Sequence, residues 1–200
     1  MLKAEPTQNE QRLLFARTFF RNPRMLGSII PSSRFLIREV LEPIAWDQAH
    51  VIVEYGPGVG TITGQILRRM RPDATLIAIE TNSEFVRFLR ASYNDSRLKV
   101  VEGSAADVGR ILREHGHAHA NYIISGIPFS TIPESLRDHI LRESRAALEA
   151  GGAFVVYQFS ARVLADLKRI FGHVQRSFEL LNVLPAHLFF CTHSAGAETE

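Results

Sequence analysis

Two carboxylates and three glycines are the residues from which chemistry can first be read. Glu54 stands near the end of the apolar run Val51-Ile-Val-Glu-Tyr, and Gly56, Gly58 and Gly60 follow it, giving Glu-x-Gly-x-Gly-x-Gly. Glycines at the carboxyl end of a strand permit a tight turn and a close approach of ligand to backbone. The dinucleotide pattern G-x-G-x-x-G would need glycine at position 61, where this chain has Thr61. No Lys-Ser/Thr pair follows the turn, so a phosphate-cradling loop is excluded. A carboxylate facing the turn repels a pyrophosphate and suits a ligand that carries an amino group. Twenty residues beyond Gly60, Leu76-Ile-Ala-Ile-Glu80 ends in a second acid, placed to accept from both hydroxyls of a ribose. A third apolar run leads into Val100-Val-Glu-Gly-Ser-Ala-Ala-Asp107, where Ser104 and the backbone at Ala105 can meet an adenine edge.

These residues need strands that end side by side. The hydrophobic pattern supplies them: strands at 51–55, 75–80, 98–102, 121–125 and 153–159 alternate with helices at 60–70, 83–92, 105–115, 133–149 and 160–171. Two extended runs near 174–182 and 186–193 close the chain with no helix between them. The expected fold is α/β: a Rossmann-like, seven-stranded, mostly parallel sheet with helices on both faces and an antiparallel C-terminal edge hairpin. An N-terminal helical extension precedes it. It comprises a helix over 8–21, stopped at Asn22-Pro23, and a second from about Arg34 to Leu41, which Ser32 or Ser33 can cap and Pro43 ends. The division read from this pattern is an extension at 1–46, a catalytic domain at 47–194 and a polar tail at 195–200.

Composition narrows the class. The chain has 200 residues, 46% of them hydrophobic and 22% charged, as a single soluble domain requires. No run of 18 apolar residues suggests a membrane span, and no signal-peptide pattern leads the chain. The single cysteine, Cys191, fits a reducing cytoplasm and reads as a buried small hydrophobe. The net charge of +2 conceals an asymmetry: residues 1–38 carry +5 and the remainder −3. Within the first helix Phe19 and Phe20 are flanked by Arg17 and Arg21, which fits a helix lying in a lipid interface or a lid over its own domain. His115-Gly-His-Ala-His119 lies in a helix-to-strand connection without a cysteine or well-placed acid, so a solvated loop is expected and no metal.

Glu54 with its glycines, Glu80 and Ser104-Ala105 together resemble the class I S-adenosylmethionine-dependent methyltransferases. The resemblance implies that Glu54, Gly56, Gly58 and Gly60 hold the methionine part of the cofactor, Glu80 the ribose hydroxyls and Ser104-Ala105 the adenine. Thr61, Thr81 and Ser125 complete the implied cofactor set, and the product is S-adenosylhomocysteine. A common form of the third motif has Asp where this chain has Ser104, and Asp107 lies too far along to replace it. The fourth strand ends Asn121-Tyr-Ile-Ile-Ser-Gly-Ile-Pro-Phe129, where amino-methylating members carry an Asn/Asp-Pro-Pro/Leu-aromatic motif whose polar side chain accepts from the amine. Ser125-Gly126-Ile127-Pro128-Phe129 departs at the polar residue, since serine offers only a hydroxyl. Gly126 is expected to open room for a bulkier acceptor, and Phe129 to hold the amine or methyl by cation–π contact.

Over nearly its full length the chain resembles bacterial phospholipid N-methyltransferases akin to ribosomal RNA adenine dimethylases. The phrases that carry this are Phe19-Phe-Arg-Asn-Pro-Arg24, Gly27-Ser-Ile-Ile-Pro-Ser-Ser33, Glu54-Tyr-Gly-Pro-Gly-Val-Gly60 and Ser125-Gly-Ile-Pro128. They imply methylation of the amine of phosphatidylethanolamine-type lipids by an enzyme resting on the inner face of the membrane. Phe19, Phe20, Arg21, Arg24 and Arg34 would meet the anionic surface or the lipid phosphate. An ethanolamine ammonium must lose a proton before it attacks, and Tyr157, His187 or water are candidate acceptors. Three other readings stay open at this point: an RNA adenine methyltransferase, an enzyme for a small soluble amine, and a binding module without activity. Confinement of the basic charge to the first 38 residues speaks against nucleic acid.

Overall fold

A computed structural model describes residues 34–179 and 186–192. The described chain begins with helix α1 (Arg34–Leu41) and then alternates β1 (Val51–Tyr55), α2 (Thr61–Arg69), β2 (Thr75–Glu80), α3 (Ser83–Ser92), β3 (Leu98–Glu102), α4 (Val108–Glu114) and β4 (Ala120–Ser125). It continues with α5 (Glu134–Ala147), β5 (Leu148–Gln158), α6 (Leu164–Phe171), β6 (His173–Glu179) and β7 (Ala186–Thr192). The seven strands form one sheet in the order β3-β2-β1-β4-β5-β7-β6. Pairing is parallel from β3 to β5, and β7 runs antiparallel to both β5 and β6. The expected hairpin is present, with the last strand inserted between β5 and β6 so that β6 forms the edge.

The strands nearest the centre read as continuous apolar runs because both faces are covered, and every residue of β1 is buried. Val53, Tyr55, Ile123, Phe154 and Val156 face one cluster, closed by Ile111 of α4, Leu141 of α5 and Leu167 of α6. Ile52, Leu76, Ile124 and Val155 face a second, closed by Val40 of α1 and Ile66 of α2. Helix α1 therefore lies on the sheet, and its Leu36, Ile37, Val40 and Leu41 are buried. Each such side chain contributes roughly 1.5–3 kcal/mol when removed from water. Residues 1–33, which include the expected helix at 8–21, and the tail at 195–200 lie outside the described residues.

Register is set by a few buried polar groups. The Asn121 side-chain oxygen accepts from the backbone amides of His50 (2.9 Å) and Val51 (2.7 Å), tying the start of β4 to the start of β1. Its amide nitrogen donates to Glu149. Tyr55 lies opposite Ser125 in the ladder, so the turns after β1 and β4 emerge together. Several element boundaries differ from expectation, among them the start of the helix expected at 160–171, which opens as a 3₁₀ turn over Ala161–Val163. The helix expected to reach residue 149 ends at Ala147, because the strand begins early and bulges at Gly151 and Gly152. A Cβ on Gly152 would stand 2.9 Å from the Asn121 carbonyl oxygen, a distance only glycine avoids. The helix expected at 105–115 begins as a 3₁₀ turn over Ala105–Asp107.

Candidate active site

The carboxyl ends of β1, β2, β3 and β4 meet at one rim of the sheet, and the glycine turn lies among them. Gly56, Gly58 and Gly60 all have positive φ, at 66°, 56° and 78°. At Gly60 the requirement is double, since a Cβ there would also stand 2.8 Å from Leu89 Cδ2 and from Tyr93 Cε2. The Tyr93 hydroxyl donates to the Gly60 carbonyl at 2.8 Å and so holds the turn from α3.

Glu54 is 1% exposed, with one carboxyl oxygen accepting from the Thr63 hydroxyl at 2.7 Å. Its other oxygen is buried without a hydrogen-bond partner. Burial pushes the Glu54 carboxyl up to about 7, with the nearby charge of Glu80 adding to the effect and the Thr63 hydroxyl opposing it. A few residues on, the Thr61 hydroxyl at the start of α2 is likewise buried and unpartnered. Orphaned polar atoms in a native interior are rare, and a bound ligand can satisfy them. An acceptor at Glu54 and a donor at Thr61, beside a helix N-terminus, fit the ammonium and carboxylate of an amino acid.

Glu80 is held in place by amides. Its oxygens accept from Gly58 (3.1 Å) and Asn82 (2.9 Å), with the Thr81 hydroxyl at 3.5 Å. Burial raises its pKa, and those backbone amides pull the other way. Glu80 and Thr81 line a pocket of about 250 Å³ with Ser104, Ala105, Ile127 and Pro128. Ile132, Leu136 and Ile140 complete the wall, a row at every fourth residue leading into and along α5. A carboxylate at one end of an apolar slot fits a nucleoside, whose ribose hydroxyls meet the acid while the base is enclosed. Glu54 and Glu80 thus suit the two ends of a ligand with an amino-acid end and a nucleoside end, with Gly56 between them.

Several expected residues take other roles. The Ser104 hydroxyl accepts from the Ala106 amide at 3.2 Å and caps the turn, so the backbone at Ala105 is what the base would meet. Asp107 pairs with Arg110 at 3.4 Å on the surface and does not replace it. Ser125 is fully buried, and its hydroxyl accepts from the Ile127 amide at 3.3 Å, shaping the loop. Counting three residues back from Phe129, as the amino-methylating motif does, reaches Gly126 and not Ser125. Phe129 is fully buried, its ring edge-on to Phe154 at 6.4 Å, because enclosing an aromatic ring in the core is worth more than leaving it at the rim. It therefore offers no face to an amine. Gly126 does not open empty room either: the Tyr157 side chain fills that space, with its ring carbon Cζ 2.8 Å from where a Cβ would be.

His187 lies away from the pocket, between the rings of Phe178 and Phe189. The always-protonated Arg176 stands 3.0 Å from His187 Nδ1, so the lone pair on that nitrogen is engaged. Burial and the Arg176 charge lower its pKa. Arg34 is at the exposed start of α1, its guanidinium over the Phe35 ring at 4.9 Å. Phe19, Phe20, Arg21 and Arg24 lie outside the described residues. In the His115–His119 run, His115 Nδ1 bonds the Ile111 carbonyl at 2.9 Å. Cys191 is buried, which pushes its thiol up to about 12.

Sequence reasoning missed Thr63, Tyr93 and the row Ile132, Leu136 and Ile140. The row was visible in its spacing of four, whereas nothing in sequence distinguishes Thr63 or Tyr93 from packing residues.

The chain is a methyltransferase that uses S-adenosylmethionine, and the sheet order, the two acids and the glycine turn suit that cofactor. More narrowly, the chain belongs to the ribosomal RNA adenine dimethylase family, whose family model matches residues 10–171. It is similar to an ornithine lipid N-methyltransferase from Singulisphaera acidiphila, 34% identical over 180 residues that span 89% of this chain and 94% of that one. Among solved structures it resembles the precorrin-6y C5,15-methyltransferase of Geobacter metallireducens, with a TM-score of 0.63 at 12% identity over 80% of this chain and 87% of that one. Human methyltransferase-like protein 13 in complex with SAH gives 0.57 at 16% identity, over 90% and 85%. At these identities the two structures speak for the fold.

Proposed function

We propose that this methyltransferase acts on the amine of a membrane lipid. The observation that carries the reading is the match to a lipid N-methyltransferase along 94% of that relative's length, at 34% identity. The +5 charge of residues 1–38 supports it, because an anionic lipid surface attracts such a segment. A phosphatidylethanolamine-type headgroup is the acceptor first named by the sequence, and the relative adds an ornithine lipid. Both carry a primary amine. Phe19, Phe20, Arg21, Arg24 and Arg34 are assigned to the membrane surface or lipid phosphate, and the enzyme to the inner face of the membrane.

When bound, the cofactor supplies an electrophilic methyl group on its sulfonium sulfur. Glu54 and Thr61 take its amino-acid end, Gly56, Gly58 and Gly60 its approach to the backbone, and Glu80 with Thr81 its ribose. Ser104-Ala105, Ile127 and Pro128 enclose the base. The loop Ser125-Gly126-Ile127-Pro128-Phe129 is fixed by its own hydrogen bonds: Gly126 donates to the Tyr55 carbonyl at 3.0 Å and Phe129 to the Ile127 carbonyl at 2.9 Å. A loop that cannot sag keeps an amine in line with the methyl, and such alignment supplies roughly 7–11 kcal/mol of a barrier. Of the three candidate acceptors for the ammonium proton, His187 is engaged elsewhere, which leaves water and Tyr157.

The test is methyl transfer from labelled S-adenosylmethionine to vesicles containing phosphatidylethanolamine or an ornithine lipid, beside ribosomal RNA and small soluble amines. Label in the lipid fraction is expected. Label confined to RNA or to the soluble amines overturns the reading.

A further inference from the structure

Gly126 poses a question that the cofactor does not answer. Six glycines of the described chain have positive φ, and Gly126 is not among them, so its lack of a side chain serves space and not conformation. That space is taken by one residue. A Cβ built on Gly126 would overlap the Tyr157 hydroxyl and stand 2.8 Å from Cζ and 3.4 Å from Cε2 of the same ring.

The sheet register says where this hydroxyl is. Glu54 lies opposite Ile124, and Ile124 opposite Val155, so the three share one face. Tyr157, two residues past Val155, extends along that face, as Gly126 extends it past Ile124. The phenol is therefore on the side where Glu54 awaits the amino-acid end of the cofactor. Gly56 is the crossing point between the two bracketing acids, and a Cβ there would come within 4.0 Å of the Gly126 backbone and 3.8 Å of Ile127. The sulfonium joins the amino-acid end to the nucleoside end, and so belongs at this crossing. Within the loop itself, the Ser125 hydroxyl is buried and spent on the Ile127 amide, and Phe129 is in the core.

We infer that the Tyr157 hydroxyl, entering the space where residue 126 has no side chain, is the group that receives and orients the acceptor amine. This rests on the amine-methylating reading above. The polar contact that a loop side chain would make is instead delivered from β5, and Gly126 is the partner that admits it. A phenol oxygen accepts one N–H and leaves the nitrogen lone pair directed at the methyl, while its own bulk confines the approach.

The experiment measures transfer to phosphatidylethanolamine, ornithine lipid and soluble amines, together with cofactor affinity by calorimetry. For Tyr157→Phe, kcat/KM for the methylated amine is expected to fall about tenfold or more, as loss of a single oriented hydrogen bond predicts. Cofactor affinity should stay within about twofold, a split that a merely structural role would not produce. Gly126→Ala, which displaces the phenol, should lose at least as much. The double variant should lose little beyond Gly126→Ala alone, because the two changes remove one interaction. Full wild-type kcat/KM in Tyr157→Phe, or additive losses in the double variant, overturns the assignment alone. Equal weakening of the cofactor overturns it too, by making Tyr157 part of the cofactor site. If the wild-type enzyme methylates no amine, the functional reading fails and this assignment fails with it.

Discussion

At the ends of β1 and β2 the protein keeps two carboxyl groups almost wholly buried, one with an oxygen that has no partner, beside a threonine hydroxyl in the same condition. At the ends of β4 and β5 the arrangement differs: amides of the Ser125–Thr131 loop are taken up within the loop and by the Tyr55 carbonyl, and the Tyr157 hydroxyl reaches the loop from the neighbouring strand, where Gln158 Oε1 is also buried without a partner. The first region holds buried polar atoms that a ligand would satisfy, and the second is a hydrogen-bonded turn. A cofactor common to every turnover can be recognised by unsatisfied atoms, whose cost its binding relieves. An acceptor that must enter and leave in methylated form is better met by a preshaped wall.

Glu80→Ala breaks the cofactor side most severely. It removes the acceptor for Gly58 and Asn82 as well as the ribose contact, and should weaken S-adenosylmethionine binding about a hundredfold by calorimetry. Undiminished binding would place the cofactor elsewhere.

Glu54 sharpens the comparison through pH. Only the ionised carboxylate complements an ammonium, so cofactor affinity should decline as pH falls below about 7, approaching tenfold per pH unit at the acid limit. Glu54→Gln should bind weakly and without that dependence. Stability moves in the opposite sense. Because burial raises the Glu54 pKa, the cofactor-free native state holds a proton that the unfolded chain has already lost between its usual range and about 7. The stabilising effect of that neutral form is present at acid pH and is lost as pH rises through about 7. Glu54→Gln should accordingly melt at higher temperature than wild type near pH 8, being more stable there by about 3 kcal/mol, and lose that advantage near pH 4.5. Thermal melts at the two pH values without cofactor check the sign.

Ser125→Ala should have the smallest effect, a fewfold change in kcat with cofactor affinity intact, since its hydroxyl only braces the Ile127 amide. Complete loss of transfer would return the amine contact to the loop.

The turn and strand ends assigned to the cofactor were largely legible in the sequence, because strand ends and tight turns impose residue types at fixed spacing. Glu54, Gly56, Gly58, Gly60 and Glu80 stand where they were expected, as do all seven strands, the edge hairpin included. The acceptor half was less legible. Phe129 reads as a rim aromatic from its place after Pro128, yet its ring goes to the core because Phe154 waits there, a contact 25 residues away in sequence. Tyr157 could be named but not placed, since its nearness to Gly126 depends on the register of β4 against β5. His187 looked like a base, but the residue that engages it, Arg176, lies on the neighbouring strand. Side chains that act across strands leave no local spacing to read.

The insertion of β7 between β5 and β6 also gives the sheet an order of completion. As the chain emerges during synthesis, β1 has both of its neighbours, β2 and β4, by residue 125, so the cradle around Glu54 and Glu80 can close early. β5 has only β4 beside it until residues 186–192 arrive and pair with it from Ala153 to Gln158. Until then Tyr157 sits on a bare edge, in the kind of strand that invites pairing with the wrong chain. The half of the sheet proposed to meet the acceptor is thus the last to be secured, and it is where a growing polypeptide would most need protection.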